Sequence, residues 1–377
     1  MLNETDKQVK RVVIKIGSSS LTSMHGEISR RKLEKLAEQI VALKDAGYET
    51  AVVSSGAVAA GYRKLGCMER PQSLPEKQAA ASIGQGLLME SYSELFLSHG
   101  YVASQILITR SDFSNENRYH NMKNALNVLL DRGIIPIINE NDTVTVDRLK
   151  FGDNDTLSAK VAALVDADQL IILSDIDGLY DANPNEKPDA KLLEKVHSIT
   201  PEIEAAAGGS GSAVGTGGMK SKISAVKIAL ASGLKAFLGR AETPGILLGA
   251  VNGTAKGTYF ESEPDAVNLD DNKQWIAFHS GPEGQIIIND EAKKSIVEGN
   301  KSLFPADIIE VNGQFNDGAV VRIVDETGME IGLGRINYST EQLEADEFQF
   351  QDQKNGQAAV RQEAFVCALD FAVPVTV

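Results

Sequence analysis

Short, uninterrupted apolar runs alternate with stretches of helical spacing through the first 260 or so residues, and this alternation leaves few folds open. Arg11-Val-Val-Ile-Lys-Ile16 is one such run, and it stops at Gly17. Leu33, Leu36, Ile40 and Leu43 then fall on one face of a helix, which Gly47 ends. Ala51-Val-Val53 is a second run, broken by Ser54-Ser-Gly56. The spacing predicts further helices over 76–97, 116–130, 155–165 and 222–231, and strands over 104–108, 134–139 and 169–173. Strands apolar on both sides need cover on both faces. The expectation is an α/β fold, a three-layer sandwich around a mainly parallel sheet. In such sheets ligands sit beyond the carboxyl ends of the strands, and the polar clusters of this chain all follow strands.

The pattern changes near Glu261-Ser-Glu-Pro-Asp265. We expect a first domain over 1–262, a linker over 263–274 and a small all-β domain over 275–377. In the last, runs over 307–311, 319–324 and 330–336 are separated by Asn312-Gly313, Asp317-Gly318 and Thr327-Gly328, which are turn signals. From Asp270 onward there are 8 basic and 19 acidic residues. That net of -11, out of -15 for the whole chain, leaves -4 for the residues before it. The acidity argues against RNA or other nucleic acid as a partner, because phosphate binding relies on Lys and Arg.

Two distant cysteines, Cys67 and Cys367, make neither a disulfide framework nor a zinc spacing. The five histidines are scattered. The start, MLNETDKQVKR, is polar, and no run approaches about 18 apolar residues, so neither a signal peptide nor a membrane span is expected. A cytoplasmic protein is the consistent expectation.

Five clusters carry the chemistry. Lys15-Ile-Gly17-Ser-Ser-Ser20 is a lysine at a strand end followed by a glycine that lets backbone N–H groups approach an anion. Ser54-Ser-Gly-Ala57 follows the second strand. Ile137-Ile-Asn-Glu-Asn-Asp142 offers amides and carboxylates that suit a zwitterion, although a polar turn uses the same residues. Gly152-Asp-Asn-Asp155 opens a helix, where its acids are either caps or organisers of lysines or magnesium. Gly208 to Lys222 holds six glycines within 208–218 and closes with Lys220 and Lys222 at a helix start, as a mobile phosphate-binding loop would. Ser174-Asp175 ends another strand. There is no Gly-x4-Gly-Lys-Ser/Thr, no Gly-x-Gly-x-x-Gly and no Gly-x-Ser-x-Gly. Walker-type ATPase, dinucleotide-binding and serine-hydrolase readings therefore lack their signatures.

In this order and spacing, Val-Ile-Lys15-Ile-Gly, Ser54-Ser55-Gly-Ala, Ile-Asn139-Glu-Asn141-Asp142, Gly-Asp-Asn154-Asp155 and Gly-Thr-Gly-Gly-Met-Lys-Ser-Lys222 resemble the amino-acid kinase family. Within it, the likeness is to the bacterial kinases of glutamate in proline biosynthesis. It runs from about Val12 to Phe260. The part from Trp275 is similar to a PUA domain, carried by Val311-Asn-Gly313-Gln-Phe315-Asn-Asp-Gly318. Ser221 stands where the family usually has threonine, and the stretch 364–377 lacks the charged ending of its relatives.

The resemblance implies an amino-acid kinase fold with a PUA-like tail. It implies transfer of phosphate from ATP to the glutamate side chain, with magnesium bridging phosphates. Lys15 and Lys222 would contact the phosphates, and Asp155 would hold both lysines. Ser55, Asp142 and Asn154 would bind glutamate. Ser174, Asp175, Gly215, Thr216, Gly217, Gly218, Met219, Lys220, Ser221 and Lys222 would bind ATP with Lys15. No residue is assigned as a metal ligand. A homo-oligomer (dimer or tetramer), feedback inhibition by proline and glutamyl-phosphate reductase as a partner are also implied. The alternatives are a sister kinase acting on aspartate, N-acetylglutamate, carbamate or a nucleoside monophosphate, and an RNA-binding or regulatory protein acting through its tail.

Overall fold

The computed structural model of the chain describes residues 10–23, 27–145, 154–184, 187, 189–207, 218–263, 269–297, 301–345 and 357–368. The chain divides into two compact units, Met1–Ala266 and Val267–Val377. Of the expected linker, 264–268 lie outside the described residues, as do 369–377 of the unusual tail.

The first unit is built on eight strands: β1 Arg11–Ile16, β2 Glu49–Ser54, β3 Ala103–Ile108, β4 Ile135–Glu140, β5 Gln169–Ser174, β6 Lys195–Val196, β7 Lys235–Arg240 and β8 Thr258–Phe260. Their order is β3-β4-β2-β1-β5-β7-β8-β6. Only β7 and β8 pair antiparallel, so the sheet is mainly parallel. In register, Ile16 stands beside both Ser54 and Leu173, and Ser174 stands beside Arg240. Four strand ends thus share one edge of the sheet.

Alternation along β1 sets what each face receives. Val12, Ile14 and Ile16 pack with Leu33, Leu36, Ile40 and Leu43 of the helix Arg30–Asp45, in a core that also takes Leu88, Tyr92 and Phe96 of the helix Leu74–Ser98. Val13 and Lys15 turn the other way, toward the face where the helix Asn154–Leu164 contacts β1. That helix packs in turn against the helix Met219–Ala231. This is the three-layer sandwich that continuous apolar strands require.

A backbone crossing fixes one more element. The short helix Ala57–Gly61 meets Leu74–Ser98 where Gly61 faces Gly84. A Cβ on Gly84 would fall 1.8 Å from the Ala57 carbonyl oxygen, and one on Gly61 would fall 1.9 Å from that of Ala80. Only glycine permits this approach, and it brings the middle of the long helix down to the ends of β2 and β4.

The second unit carries β9 Gly284–Ile288, β10 Ile308–Asn312, β11 Val320–Asp325, β12 Glu330–Ile336 and β13 Val360–Cys367, in the order β10-β9-β11-β12-β13. Ile286, Ile288, Val321, Ile323, Ile336 and Phe365 belong to its core. The three turn glycines read from the sequence, Gly313, Gly318 and Gly328, have φ of +97°, +83° and +83°. That left-handed region is open to glycine at little cost. Helices such as Asp290–Val297 and Thr340–Glu344 accompany the strands. Among the described residues of the chain, no helix is long and apolar enough to cross a membrane.

Two glycines two residues apart test the crossing. Gly84→Ala forces an overpacked contact and should cost about 2 kcal/mol or more in urea unfolding. Gly86 has nothing within 4 Å of its would-be Cβ, so Gly86→Ala should stabilise by up to about 1 kcal/mol through better helix propensity. Equal effects at both sites would show that the close crossing does not hold.

Candidate functional site

Two lysines, one near the end of β1 and one in the first turn of a helix, converge on one carboxylate. Asp155 lies in the first turn of the helix Asn154–Leu164 and is fully buried. The Lys15 Nζ lies 2.5 Å from its Oδ1, and the Lys222 Nζ lies 3.2 Å from its Oδ2. Both lysines are themselves buried, 6% and 7% exposed. Lys15 reaches Asp155 because its place on β1 directs it away from the face of Ile14 and Ile16. Lys222 reaches it because the helix Met219–Ala231 begins just before it, one turn earlier than the sequence spacing predicted.

Two opposing effects set the charge of Asp155. Burial pushes the carboxyl up, at a cost of several kcal/mol per desolvated ion. The two ammoniums outweigh it, and with hydrogen bonds from Lys15 and Ser221 they hold the group below the usual carboxylate range. The Ser221 hydroxyl lies 2.7 Å from Asp155 Oδ2 and 2.8 Å from the Gly218 carbonyl oxygen. It therefore faces the carboxylate and the base of the glycine-rich segment. No side chain caps the helix start at Gly218, so backbone N–H groups and the positive end of the helix dipole are available to an anion there.

Next to this triad is an amide cluster. Asn154 Nδ2 donates among three acceptors: the Ser54 carbonyl at 2.8 Å, Ser55 Oγ at 3.0 Å and Asn139 Oδ1 at 2.9 Å. Asn139 Oδ1 also accepts from the Glu140 backbone N–H at 2.9 Å, and its Nδ2 donates to Gln85 Oε1 at 3.0 Å. The Ser54 and Tyr92 hydroxyls share a hydrogen bond of 2.9 Å. Burial pushes the Tyr92 hydroxyl up to about 12, only partly offset by Ser54, so it stays protonated. Gly56 takes φ +98°, the left-handed turn that lets β2 end between Asn154 and the following helix.

The structure brings together Lys15, Ser55, Asn154, Asp155, Ser221 and Lys222. Asp142 stands two residues past the end of β4, in the turn at the same edge. Ser174 ends β5 beside the β1 end, and its hydroxyl donates to Asp175 Oδ1 at 3.0 Å. Met219 and Lys220 form the first helical turn, with Lys220 exposed. Gly152, Asp153 and the loop residues Gly215, Thr216 and Gly217 lie outside the described residues. Among the described residues, no group of three or more His, Cys, Asp or Glu could hold a metal ion.

Sequence reasoning missed Gln85 and Tyr92, which come from mid-helix positions with no local signal. It also missed Lys160, which burial, with Arg110 nearby, pushes down to about 7, its ammonium 5.8 Å from the Phe113 ring centroid. A cavity of about 280 Å³ adjoins the turn after β4, lined by Arg110, Asp112, Arg118, Asn141 and Thr145 among others. Here a signal was present: Thr109-x-x-Asp112 has capping-box spacing at a helix start, and Asp112 Oδ2 accepts from the Thr109 backbone N–H at 2.7 Å and from its hydroxyl at 2.6 Å.

Comparison with known proteins accords with this geometry. The amino acid kinase family profile matches residues 10–239, and the PUA domain profile matches 284–347. The chain is 65% identical over 368 residues to glutamate 5-kinase 2 of Bacillus licheniformis, covering 97% of this chain and 99% of that one. It is 63% identical over 370 residues to glutamate 5-kinase 2 of Bacillus subtilis, covering 98% and 99%. Among solved structures, a carbamate kinase from Giardia lamblia bound to AMP-PNP matches with a TM-score of 0.50 at 19% identity, covering 68% of this chain and 99% of that one. At that identity the likeness concerns the fold alone.

Asp155→Asn removes the counter-charge shared by two buried ammoniums, and breaking such a pair costs about 3–5 kcal/mol. The folded carboxyl lies below its unfolded value of about 3.9, so its stabilisation is complete above that value and is lost as pH falls through the folded one. The gap in urea midpoint between parent and variant should be flat from about pH 8 to about pH 5 and narrow only in stronger acid. A gap that widens on acidification would contradict an ionised Asp155.

Proposed function

The chain belongs to the amino acid kinase family, among its glutamate 5-kinases, and on that premise we propose that it transfers the γ-phosphoryl group of MgATP to the side-chain carboxylate of glutamate. The products are ADP and γ-glutamyl phosphate, the first step of proline biosynthesis. The observation that carries the reading is the convergence of Lys15 and Lys222 on Asp155 at the carboxyl ends of parallel strands.

The chemistry asks little of a base. A glutamate side chain, with a reference pKa near about 4.3, is already ionised at neutral pH. Its oxygen attacks the γ-phosphorus, an O–P bond forms, and the bond to the β-phosphate oxygen breaks. The difficulty is the meeting of two anions, so positioning and fixed positive charge do most of the work. Lys15 and Lys222 supply that charge from a water-poor site, and Asp155 holds their ammoniums in place. Without Asp155, two like charges would repel within a few ångströms. Ser55, Asp142 and Asn154 bind the amino acid: a carboxylate at Asp142 suits its ammonium, and the hydroxyl of Ser55 suits its carboxylate. Ser174, Asp175 and the segment from Gly215 to Lys222 bind the nucleotide, and magnesium arrives with the phosphates.

The kinase domain in this reading spans 1–262 and the PUA-like domain 275–377, with 263–274 between them. The enzyme acts in the cytoplasm as a homo-oligomer, and its acyl phosphate passes to glutamyl-phosphate reductase. Proline inhibits it. Added proline that leaves glutamate turnover unchanged would remove that last element.

Purified protein with MgATP should release ADP in the presence of glutamate, and hydroxylamine should trap the product as a hydroxamate. Aspartate, N-acetylglutamate and carbamate should support little of either. Release with one of those instead would reassign the substrate, and no release with any would refute the kinase reading. Lys222→Ala should lower kcat by about 100-fold or more. If its thermal melt collapses as well, the lysine's role is structural.

A further inference from the structure

The amide cluster has a direction, and that direction is set from outside the residues that would touch a substrate. A backbone N–H can only donate. The Glu140 N–H, 2.9 Å from Asn139 Oδ1, therefore fixes that oxygen on its side of the amide. The Asn139 Nδ2 must then point to Gln85, and Gln85 must meet it with Oε1, as it does at 3.0 Å. The same Asn139 oxygen faces the amide nitrogen of Asn154, which also has the Ser54 carbonyl and Ser55 Oγ as acceptors. The Ser54 carbonyl and the Asn139 oxygen can only accept and so demand a donor, while the Ser55 hydroxyl can serve either way. Its amide is committed with nitrogen inward, and Oδ1 is left as an acceptor with no donor among the described residues. A buried, unpaired Asn139 amide nitrogen is costly, so Gln85 stabilises this arrangement at its far end.

Gln85 is itself almost fully buried, 8% exposed, on the helix Leu74–Ser98. It follows directly on Gly84, whose contact with Ala57 brings the helix down to the strand ends.

We propose that Gln85 is a positioning residue for substrate selection: with the Glu140 N–H and the Ser54 carbonyl it completes the lock on the Asn139 and Asn154 amides, so that the Asn154 carbonyl oxygen faces the site and accepts from the α-ammonium of the amino-acid substrate. This rests on glutamate being the substrate, as proposed above. Gln85 does not touch substrate in this scheme. It selects for an ammonium by fixing the polarity of a chain of amides, since a flipped Asn154 would present a donor and repel one.

The test compares glutamate with glutarate, which has both carboxylates and no ammonium. The parent enzyme is assayed first for glutamate-dependent ADP release. Absence of release there refutes the substrate reading itself and is distinct from the outcomes below. Parent enzyme should prefer glutamate over glutarate in kcat/KM. Gln85→Met, which keeps shape and removes the acceptor, should raise the KM for glutamate and shrink that preference by about tenfold or more, a site built to hydrogen-bond a group being what rejects its absence. Its KM for ATP and its kcat at saturating glutamate should stay within about twofold of parent, since the lysine triad is untouched. Gln85→Glu retains an acceptor toward Asn139 and should keep the preference within about threefold of parent, because either carboxylate oxygen can serve. A Gln85→Met enzyme that keeps the parental preference overturns the proposal, and so does a Gln85→Glu enzyme that loses it. Loss of thermal stability in Gln85→Met with an unchanged preference identifies Gln85 as a core residue only, which also overturns it.

Discussion

The site is organised by a single buried carboxylate that holds two buried cations. Asp155 lies within ion-pair reach of both lysines, and their ammoniums hold its buried carboxyl below the usual carboxylate range. Each ion's desolvation is offset in part by the others, and that of Asp155 also by the Ser221 hydroxyl. The three residues come from three places in the chain: a strand, the first turn of one helix and the first turn of another. Their mutual dependence therefore ties β1, the helix Asn154–Leu164 and the helix Met219–Ala231 into one arrangement. Ser221, within hydrogen-bond distance of both Asp155 and the Gly218 carbonyl, extends the tie to the base of the glycine-rich segment. In the proposed reaction a phosphate group would meet positive charge that is already in position, so little reorganisation would be needed.

Next to the charged triad the protein uses neutral amides for a different purpose. Charge attracts an anion from any direction, whereas an amide has a donor end and an acceptor end. The sequence Gln85, Asn139, Asn154 transmits one orientation from the helix layer to the strand ends. It needs the long helix to lie close, and the Gly61–Gly84 crossing provides this. A packing feature with no polar atoms of its own side chains thus governs a polar site beside it.

The second unit has its own sheet and its own apolar core. Most of the net negative charge of the chain, -11 of -15, falls in it. The chemistry assigned to the kinase unit makes no demand on it, and the residues that carry that chemistry all precede it in the chain.

Much of this was legible in the sequence. Apolar runs at 11–16, 51–53 and 169–173 dictated a two-sided parallel sheet, because no other arrangement covers both faces of such strands. Polar clusters near strand ends and helix starts singled out Lys15, Asn154, Asp155 and Lys222, and the family resemblance implied their roles. The Gly313, Gly318 and Gly328 turns were readable because only left-handed backbone explains glycine at those steps. What the sequence left open was decided by tertiary contact. From its residues alone Asp155 also read as a helix cap; the family resemblance implied that it holds both lysines, and only the fold brings their ammoniums to it, from positions far apart in the chain. Ser221 read as part of a nucleotide loop, and the fold turned its hydroxyl toward a carboxylate 66 residues away. Gln85 carried no signal at all, since a lone glutamine in a helix reads as a solvated face. Burial and a neighbour 54 residues distant gave it meaning. Sequence periodicity reports which face of an element is apolar. Which polar groups meet across elements depends on approach distance and register, and those are properties of the packed structure.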